Sequence, residues 1–292
     1  MKIVLFGKDG QLGWEMQHIL PSLGEVIALG RKELDISDIP ALQTTLKQIK
    51  PTLIINASAY TEVDRAETES ELAYTVNALA PGLMAESARK LQAVFIHYST
   101  DYIFDGTSNI PYKENNMPRP LNVYGKSKLK GEENIYLEGD AFLIFRTSWA
   151  YNIRGNNFVT KVLRWARESK SLKIVSDQIS NPTWVRDLAR TTFEMLSHHP
   201  ETLFEYIKER RGVYHLAGNG YTSRFEWARE ILANASTRTE QPAPTIEPAT
   251  SDEFNMPARR PRFTALDCLK FEETFGLRLP DWQTSLQTAM QD

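Results

Sequence analysis

Cysteine is nearly missing from this chain of 292 residues, where Cys268 stands alone. One thiol excludes an internal disulfide and any zinc cluster built on cysteines, and it fits a reducing compartment. Histidine is scarce too. The one close pair, His198 and His199 ahead of Pro200, lacks a metal-ligand spacing and reads as a helix end. No apolar run is long enough to span a bilayer, and Ile3 to Phe6 is too short for the core of a signal peptide. Neither sign of charge dominates. With a net charge of -3 there is no electrostatic case for nucleic acid or an anionic membrane surface. What remains is a globular composition, 41% hydrophobic and 24% charged, which argues against disorder. A soluble cytoplasmic protein is expected, with one large domain or two smaller ones sharing a cleft.

The stretch Tyr124-Gly125-Lys126-Ser127-Lys128 sets a phenol and an ammonium four residues apart, on one face if helical. A tyrosine with a pKa of about 10 is a poor acid-base catalyst at neutral pH. A neighbouring ammonium favours the phenolate, and the pair then exchanges a proton with a carbonyl or alcohol oxygen.

The N-terminal half alternates strand and helix. Ile3-Val4-Leu5-Phe6 reads as a buried strand, followed by Gly7-Lys8-Asp9-Gly10-Gln11-Leu12-Gly13 and a helix from Trp14 to Leu20. Gly7 permits the tight turn, Gly10 lets backbone approach a pyrophosphate, and Gly13 allows close helix–sheet packing. The free N–H groups of the helix N-terminus suit a phosphate. Glu25 to Leu29 is a second strand. Where many NAD-binding folds place an acidic residue, this chain has Gly30-Arg31-Lys32, and Arg31 suits a 2′-phosphate. NADPH is therefore expected as cofactor, with NADH as the alternative, and Asp35 near the adenine. A helix spans Ile39 to Ile49, and Leu53 to Ala59 is a third strand running into small residues. Glu69 to Leu91 reads as a long helix interrupted by Pro81, freeing the carbonyl of Asn77 for a water. Val94 to Asp101 is a fourth strand that turns polar at Ser99 and Thr100. Pro111 to Pro120 is a loop, and Phe142 to Arg146 a fifth strand. The fold class is α/β, a Rossmann-type doubly wound parallel sheet with a smaller C-terminal α/β substrate lobe.

In the C-terminal half, Gly155-Asn156-Asn157-Phe158 opens a helix to about Arg167, with Asn as cap. Leu172 to Val175 is a strand, Asp177 to Thr183 a polar turn, Trp184 to Leu196 a helix, and Gly212 to Gly218 a strand crossing back to the first sheet. Gln241 to Pro261 is irregular and ends in Arg259, Arg260 and Arg262, a candidate diphosphate clamp. The expected division is 1–150 for the dinucleotide, with returns near 172–178 and 212–218, and 151–292 mainly for the substrate.

Together, the glycine turn, the Ser-Thr pair and Y-x-x-x-K resemble the extended short-chain dehydrogenase/reductase superfamily. Within it the chain is similar to the dTDP-4-dehydrorhamnose reductase family. The matching runs include L-F-G-K-D-G-Q-L-G-W-E, H-Y-S-T-D-Y-I-F-D-G, P-L-N-V-Y-G-K-S-K-L-K-G-E, F-R-T-S-W-A-Y, G-N-N-F and P-A-R-R-P. The resemblance implies reduction of the C4 ketone of dTDP-4-dehydro-L-rhamnose. Tyr124 would donate the proton, Lys128 lower its pKa and bind the nicotinamide ribose, and Thr100 bind the same oxygen. It places the cofactor on Gly7, Gly10, Gln11, Leu12 and Gly13, with Asp35 and Ile36 at the adenosine end and Ala57, Ala59 and Thr61 along the middle. Asp101, Trp149 and Asn157 would face the sugar nucleotide. It further implies a homodimer in many members and Mg²⁺ at the interface in some, for which no spacing here assigns ligands. Asp9, Ser58 and Tyr60 depart from the family pattern and bear on cofactor preference. Two other readings share these motifs: another NDP-4-keto-sugar reductase or epimerase, and a non-catalytic partner like the regulatory subunit of methionine adenosyltransferase. A dehydratase would need an Asp-Glu pair where Asp101-Tyr102 stands.

Overall fold

Runs of residues buried on both faces belong inside a parallel sheet covered by helices. Four strands have this character: β1 (Lys2–Phe6), β3 (Leu53–Asn56), β4 (Val94–Thr100) and β5 (Phe142–Thr147). The computed structural model describes residues 1–236 and 244–291. Within them these strands join β2 (Glu25–Leu29) and β6 (Gly212–His215) in a six-stranded sheet, ordered β6-β5-β4-β3-β1-β2 and parallel throughout. The chain leaves β1 to pair on one side with β2 and on the other with β3. That reversal opens a crevice at the carboxyl ends of β1 and β3.

Helices cover both faces. On one, Met16 of α1 (Gln11–Ile19) and Leu188 of α6 (Val185–Ser197) pack on Leu5, Ile55 and Leu143. On the other, Leu42 of α2 (Ile39–Ile49), Met84 of α3 (Ala80–Leu91) and Ile135 of α4 (Val123–Glu138) pack on Val4, Ile54 and Phe95. A separate core of Tyr151, Val159, Ile174, Trp184, Trp227 and Leu286 joins α5 (Phe158–Glu168), α7 (Arg224–Ser236) and α8 (Trp282–Gln291).

Several expectations need correction. Ser171–Val175 does not return to the main sheet and instead pairs with Thr245–Ala249. Its alternation of buried Leu172 and Ile174 with exposed Ser171 and Lys173 fits a strand with one wet face. Thr245–Ala249 is itself regular where irregular chain was expected, and 241–243 lie outside the described residues. The polar turn from Asp177 holds two short strands, Ile179–Ser180 and Thr183–Trp184. Pro81 does not break the long helix. A π-helical turn, Thr75–Leu79, precedes α3 and absorbs the missing N–H. The Asn77 carbonyl lies close against α4: a Cβ on Gly131 would lie 2.1 Å from it.

Candidate active site

The glycine turn is built by contact. Gly7 has φ +86°, and a Cβ there would lie 2.8 Å from the backbone of Ala57 and Ser58. A Cβ on Gly13 would lie 1.9 Å from the Gly7 carbonyl oxygen, so α1 seats directly on the turn. Gly10 is the N-cap of α1, and no side chain caps that terminus. Its unsatisfied N–H groups and the positive end of the helix dipole face a cavity of about 490 Å³. Gly7, Gly10, Gln11 and Leu12 line one end, Arg31, Asp35 and Ile36 another, and Ala57, Ala59 and Thr61 the middle. Tyr124 and Lys128 close it. Gly13 is buried behind the wall. Arg31 is largely exposed at the rim and ion-pairs with Asp35 at 3.2 Å. The Asp35 carboxyl is held low by the Ser37 N–H, with Arg31 contributing.

Asn122 starts α4 by accepting the Gly125 N–H at 2.8 Å, and it donates to the Arg259 carbonyl at 2.8 Å. This fixes Tyr124 and Lys128 one turn apart at the carboxyl edge of β4. The Tyr124 ring meets Tyr102 edge-on, with centroids 5.8 Å apart. Burial pushes the phenol up, opposed by the nearby Thr100 hydroxyl; Asp101 and Tyr102 raise it further. Lys128 is 1% exposed. Its Nζ donates to the Tyr98 carbonyl at 2.6 Å and lies 3.1 Å from His97 Nε2. Burial lowers the ammonium to about 8, opposed by Glu132. Ser99, beside Thr100 at the end of β4, donates to Glu132 at 2.5 Å. Glu132 also takes a bidentate pair from Arg146, with both side chains buried. Two buried oxygens lining the cleft have no partner among the described residues: Gln11 Oε1 and Thr147 Oγ1.

A second cavity of about 460 Å³ adjoins the first and shares Gln11 and Ala150 with it. Trp149 stands on its wall with φ +39°, a conformation that strains a bulky residue and clusters at functional sites. Its ring stacks on Trp227, and the Arg224 guanidinium sits 3.9 Å from its centroid. Arg224 also lies over Phe158, and burial brings it down to about 10. Arg260 lines the same cavity and holds Asp64 at 2.7 Å.

Three expected substrate residues are placed differently. Arg259 is exposed and off both cavities, so the second guanidinium comes from Arg224. Asp101 is 2% exposed, and its carboxylate accepts from Thr100, Ser180 and Thr264 rather than facing the cleft. Asn157 reaches the wall but caps α5: its amide donates to the Asn152 and Arg154 carbonyls and accepts the Thr160 N–H. Arg224, Tyr102, Thr147 and His97 escaped the sequence reading. The available signal for Arg224 was its setting among Phe225 and Trp227, an arginine flanked by rings.

A glycine turn at the crevice of a doubly wound sheet, with Tyr124 and Lys128 a turn apart beside Thr100, defines an extended short-chain dehydrogenase/reductase. A family model described as the RmlD substrate binding domain matches residues 1–292. The dTDP-4-dehydrorhamnose reductases of Burkholderia thailandensis and Escherichia coli are each 37% identical, across 100% of this chain and 99% and 98% of theirs. Among solved structures, one from Clostridium acetobutylicum superposes with a TM-score of 0.91 at 33% identity, covering 100% of this chain and 99% of that one. Another, from Bacillus anthracis in complex with NADP, gives 0.90 at 32%, covering 99% and 98%. The chain belongs to the RmlD family of dTDP-4-dehydrorhamnose reductases.

Proposed function

We propose that this chain reduces the C4 ketone of dTDP-4-dehydro-L-rhamnose to dTDP-L-rhamnose with NADPH. The observation that supports the reading is a pair of cavities adjoining at Gln11 and Ala150, one lined by the glycine turn, Tyr124 and Lys128 and the other by Trp149 and two arginines. The cofactor fits the first cavity: the uncapped α1 terminus suits its diphosphate, and Gln11 Oε1 and Thr147 Oγ1 are acceptors awaiting donors. When bound, the reduced nicotinamide supplies the hydride. Tyr124 donates its proton to the oxygen that becomes the alcohol, and Thr100 aligns the phenol. Arg224 and Arg260 hold the dTDP diphosphate, and Trp149 covers the nucleotide side. Residues 1–150 carry most of the dinucleotide contacts and 151–292 most of the sugar-nucleotide contacts.

Among the described residues, no three His, Cys, Asp or Glu side chains gather as a metal site. No helix of the described residues is long and apolar enough to cross a membrane. A cytoplasmic homodimer completes the proposal. The test is loss of NADPH absorbance with purified protein and dTDP-4-dehydro-L-rhamnose, with NADH alongside and Tyr124→Phe as control. Oxidation that depends on both the sugar and Tyr124 supports the reading, and its absence with either cofactor overturns it.

A further inference from the structure

The adenosine end of the first cavity holds a carboxylate to which the proposed chemistry gives no task. Many NAD-binding folds hold the ribose 2′-hydroxyl on an acidic side chain just past the second strand. In this chain that place falls to Gly30, directly after β2. A Cβ on Gly30 would lie 1.9 Å from Asp9 Oδ2 and 2.8 Å from Asp9 Cγ. The Asp9 carboxylate, reaching over from the glycine turn, thus fills the space where a side chain at position 30 would begin. Backbone bonds hold the two segments in this relation: the N–H groups of Gly7 and Lys8 donate to the Leu29 carbonyl at 2.9 and 3.3 Å. Asp9, Gly30, Arg31 and Asp35 all line the cavity.

Three carboxylates stand around this corner, and two are committed. Glu33 pairs with Lys8 at 2.8 Å and accepts the Gly30 N–H at 2.9 Å. Asp35 pairs with Arg31 at 3.2 Å and accepts both the N–H and the hydroxyl of Ser37. Asp9 is exposed and has neither an ion pair nor a side-chain hydrogen bond among the described residues. Lys32, the remaining cation of the turn, does not line the cavity. An ionised carboxylate only accepts hydrogen bonds. A ribose hydroxyl can donate to it. A phosphate ester offers it acceptor oxygens and a charge of about −1.5 to −2 at neutral pH. The two nicotinamide cofactors therefore meet Asp9 with opposite sign.

We propose, resting on the reading of the first cavity as the cofactor site, that Asp9 is a cofactor-selecting residue: its carboxylate accepts the adenosine 2′-hydroxyl of NADH and opposes the 2′-phosphate of NADPH. Asp9 and Arg31 then act against one another across the same ribose. Arg31 is free to turn from Asp35 to a phosphate, because an exposed ion pair costs little to break. Asp9 keeps its charge, having no cation of its own to cancel it. This balance leaves NADH a working hydride donor beside NADPH, and removing the Asp9 charge tips the site toward NADPH.

The test is titration calorimetry on the full chain at neutral pH and low salt, with no sugar present. The probes are NAD⁺ and NADP⁺, and AMP beside adenosine 2′,5′-bisphosphate, a pair that differs only in the 2′-phosphate. Asp9→Asn removes the charge and keeps the size, and Asp9→Ser repeats the loss with a smaller side chain. In both variants the preference for the 2′-phosphorylated member of each pair is expected to rise about five- to tenfold over wild type. Arg31→Ala should move the same preference in the opposite direction. A preference that stays within twofold of wild type in both Asp9 variants overturns the proposal, while the cofactor reading of the cavity survives. Failure of the wild type to bind either dinucleotide would overturn both.

Discussion

Tyr124 is half-buried and desolvation raises its phenol, so it stays protonated across the neutral range, as the proposed proton donor must. Tyr124→Phe is expected to lower kcat by about 10²–10⁴ while cofactor affinity and melting temperature hold; stopped-flow turnover and calorimetry check both. Arg31, mostly exposed and paired with Asp35, is the residue proposed to read the 2′-phosphate. Arg31→Ala should raise KM for NADPH several-fold and leave KM for NADH nearly unchanged, and a parallel rise in both would remove Arg31 from 2′-phosphate recognition. Asp101 makes a different prediction. Burial raises its carboxyl to about 6, partly offset by Thr264, Ser180 and Thr100. A folded-state pKa above the unfolded value of about 3.9 means that the native state binds the extra proton. Its contribution to stability is therefore fullest below pH 4 and is lost as pH rises through 6. Melting curves of Asp101→Asn should lack this slope between those limits, measured against the wild type. The helix carrying Tyr124 and Lys128 a turn apart was legible in the sequence because a spacing of four residues sets both on one face. The family resemblance implied Asp101 on the substrate, whereas here it opens a 3₁₀ turn, Asp101–Ile103, and its carboxylate accepts from Thr100, Ser180 and Thr264.

The elements were legible wherever burial on two faces demanded an apolar run, as in β1, β3, β4 and β5. They were not where partners come from afar. Nothing in Leu172 to Val175 announces that its mate lies at Thr245–Ala249. Arg224 carries no motif either, and its place in the second cavity follows from the rings of Trp149, Phe158 and Trp227 around it. Helix α4 shows how tightly elements are matched. Gly131 meets the Asn77 carbonyl, and Ser127 accepts from the Asn77 amide at 3.0 Å, which in turn positions the Tyr60 backbone at the cleft wall. Gly131→Ala would drive a Cβ into that carbonyl and push α4 off the π turn. A loss of roughly 1–3 kcal/mol in stability is expected, together with lower turnover because Tyr124 rides on the same helix. Denaturant titration and steady-state kinetics would show both, whereas unchanged stability would mean that α4 is free to shift.

Over the whole molecule, the lobes are interleaved rather than strung in series. β6 lies past residue 150 yet completes the first sheet against β5, whose residues Phe142 to Arg146 are all buried. A fragment ending at residue 150 would expose that edge, and it is expected to aggregate instead of folding on its own. Circular dichroism and gel filtration of the fragment decide the point; a soluble, cooperatively melting fragment would show that the sheet does not need its sixth strand. On the opposite side of the cleft, Trp149 and Trp227 lie 5.4 Å apart with their planes 12° from parallel, and a guanidinium is seated on the first. Two indoles so close share their electronic transitions, and such a pair absorbs circularly polarised light with a sign-changing band that separate rings do not give. The molecule thus carries its own optical gauge on the wall of the second cavity, one whose band would change if a ligand seated against Trp149 altered the angle between the rings.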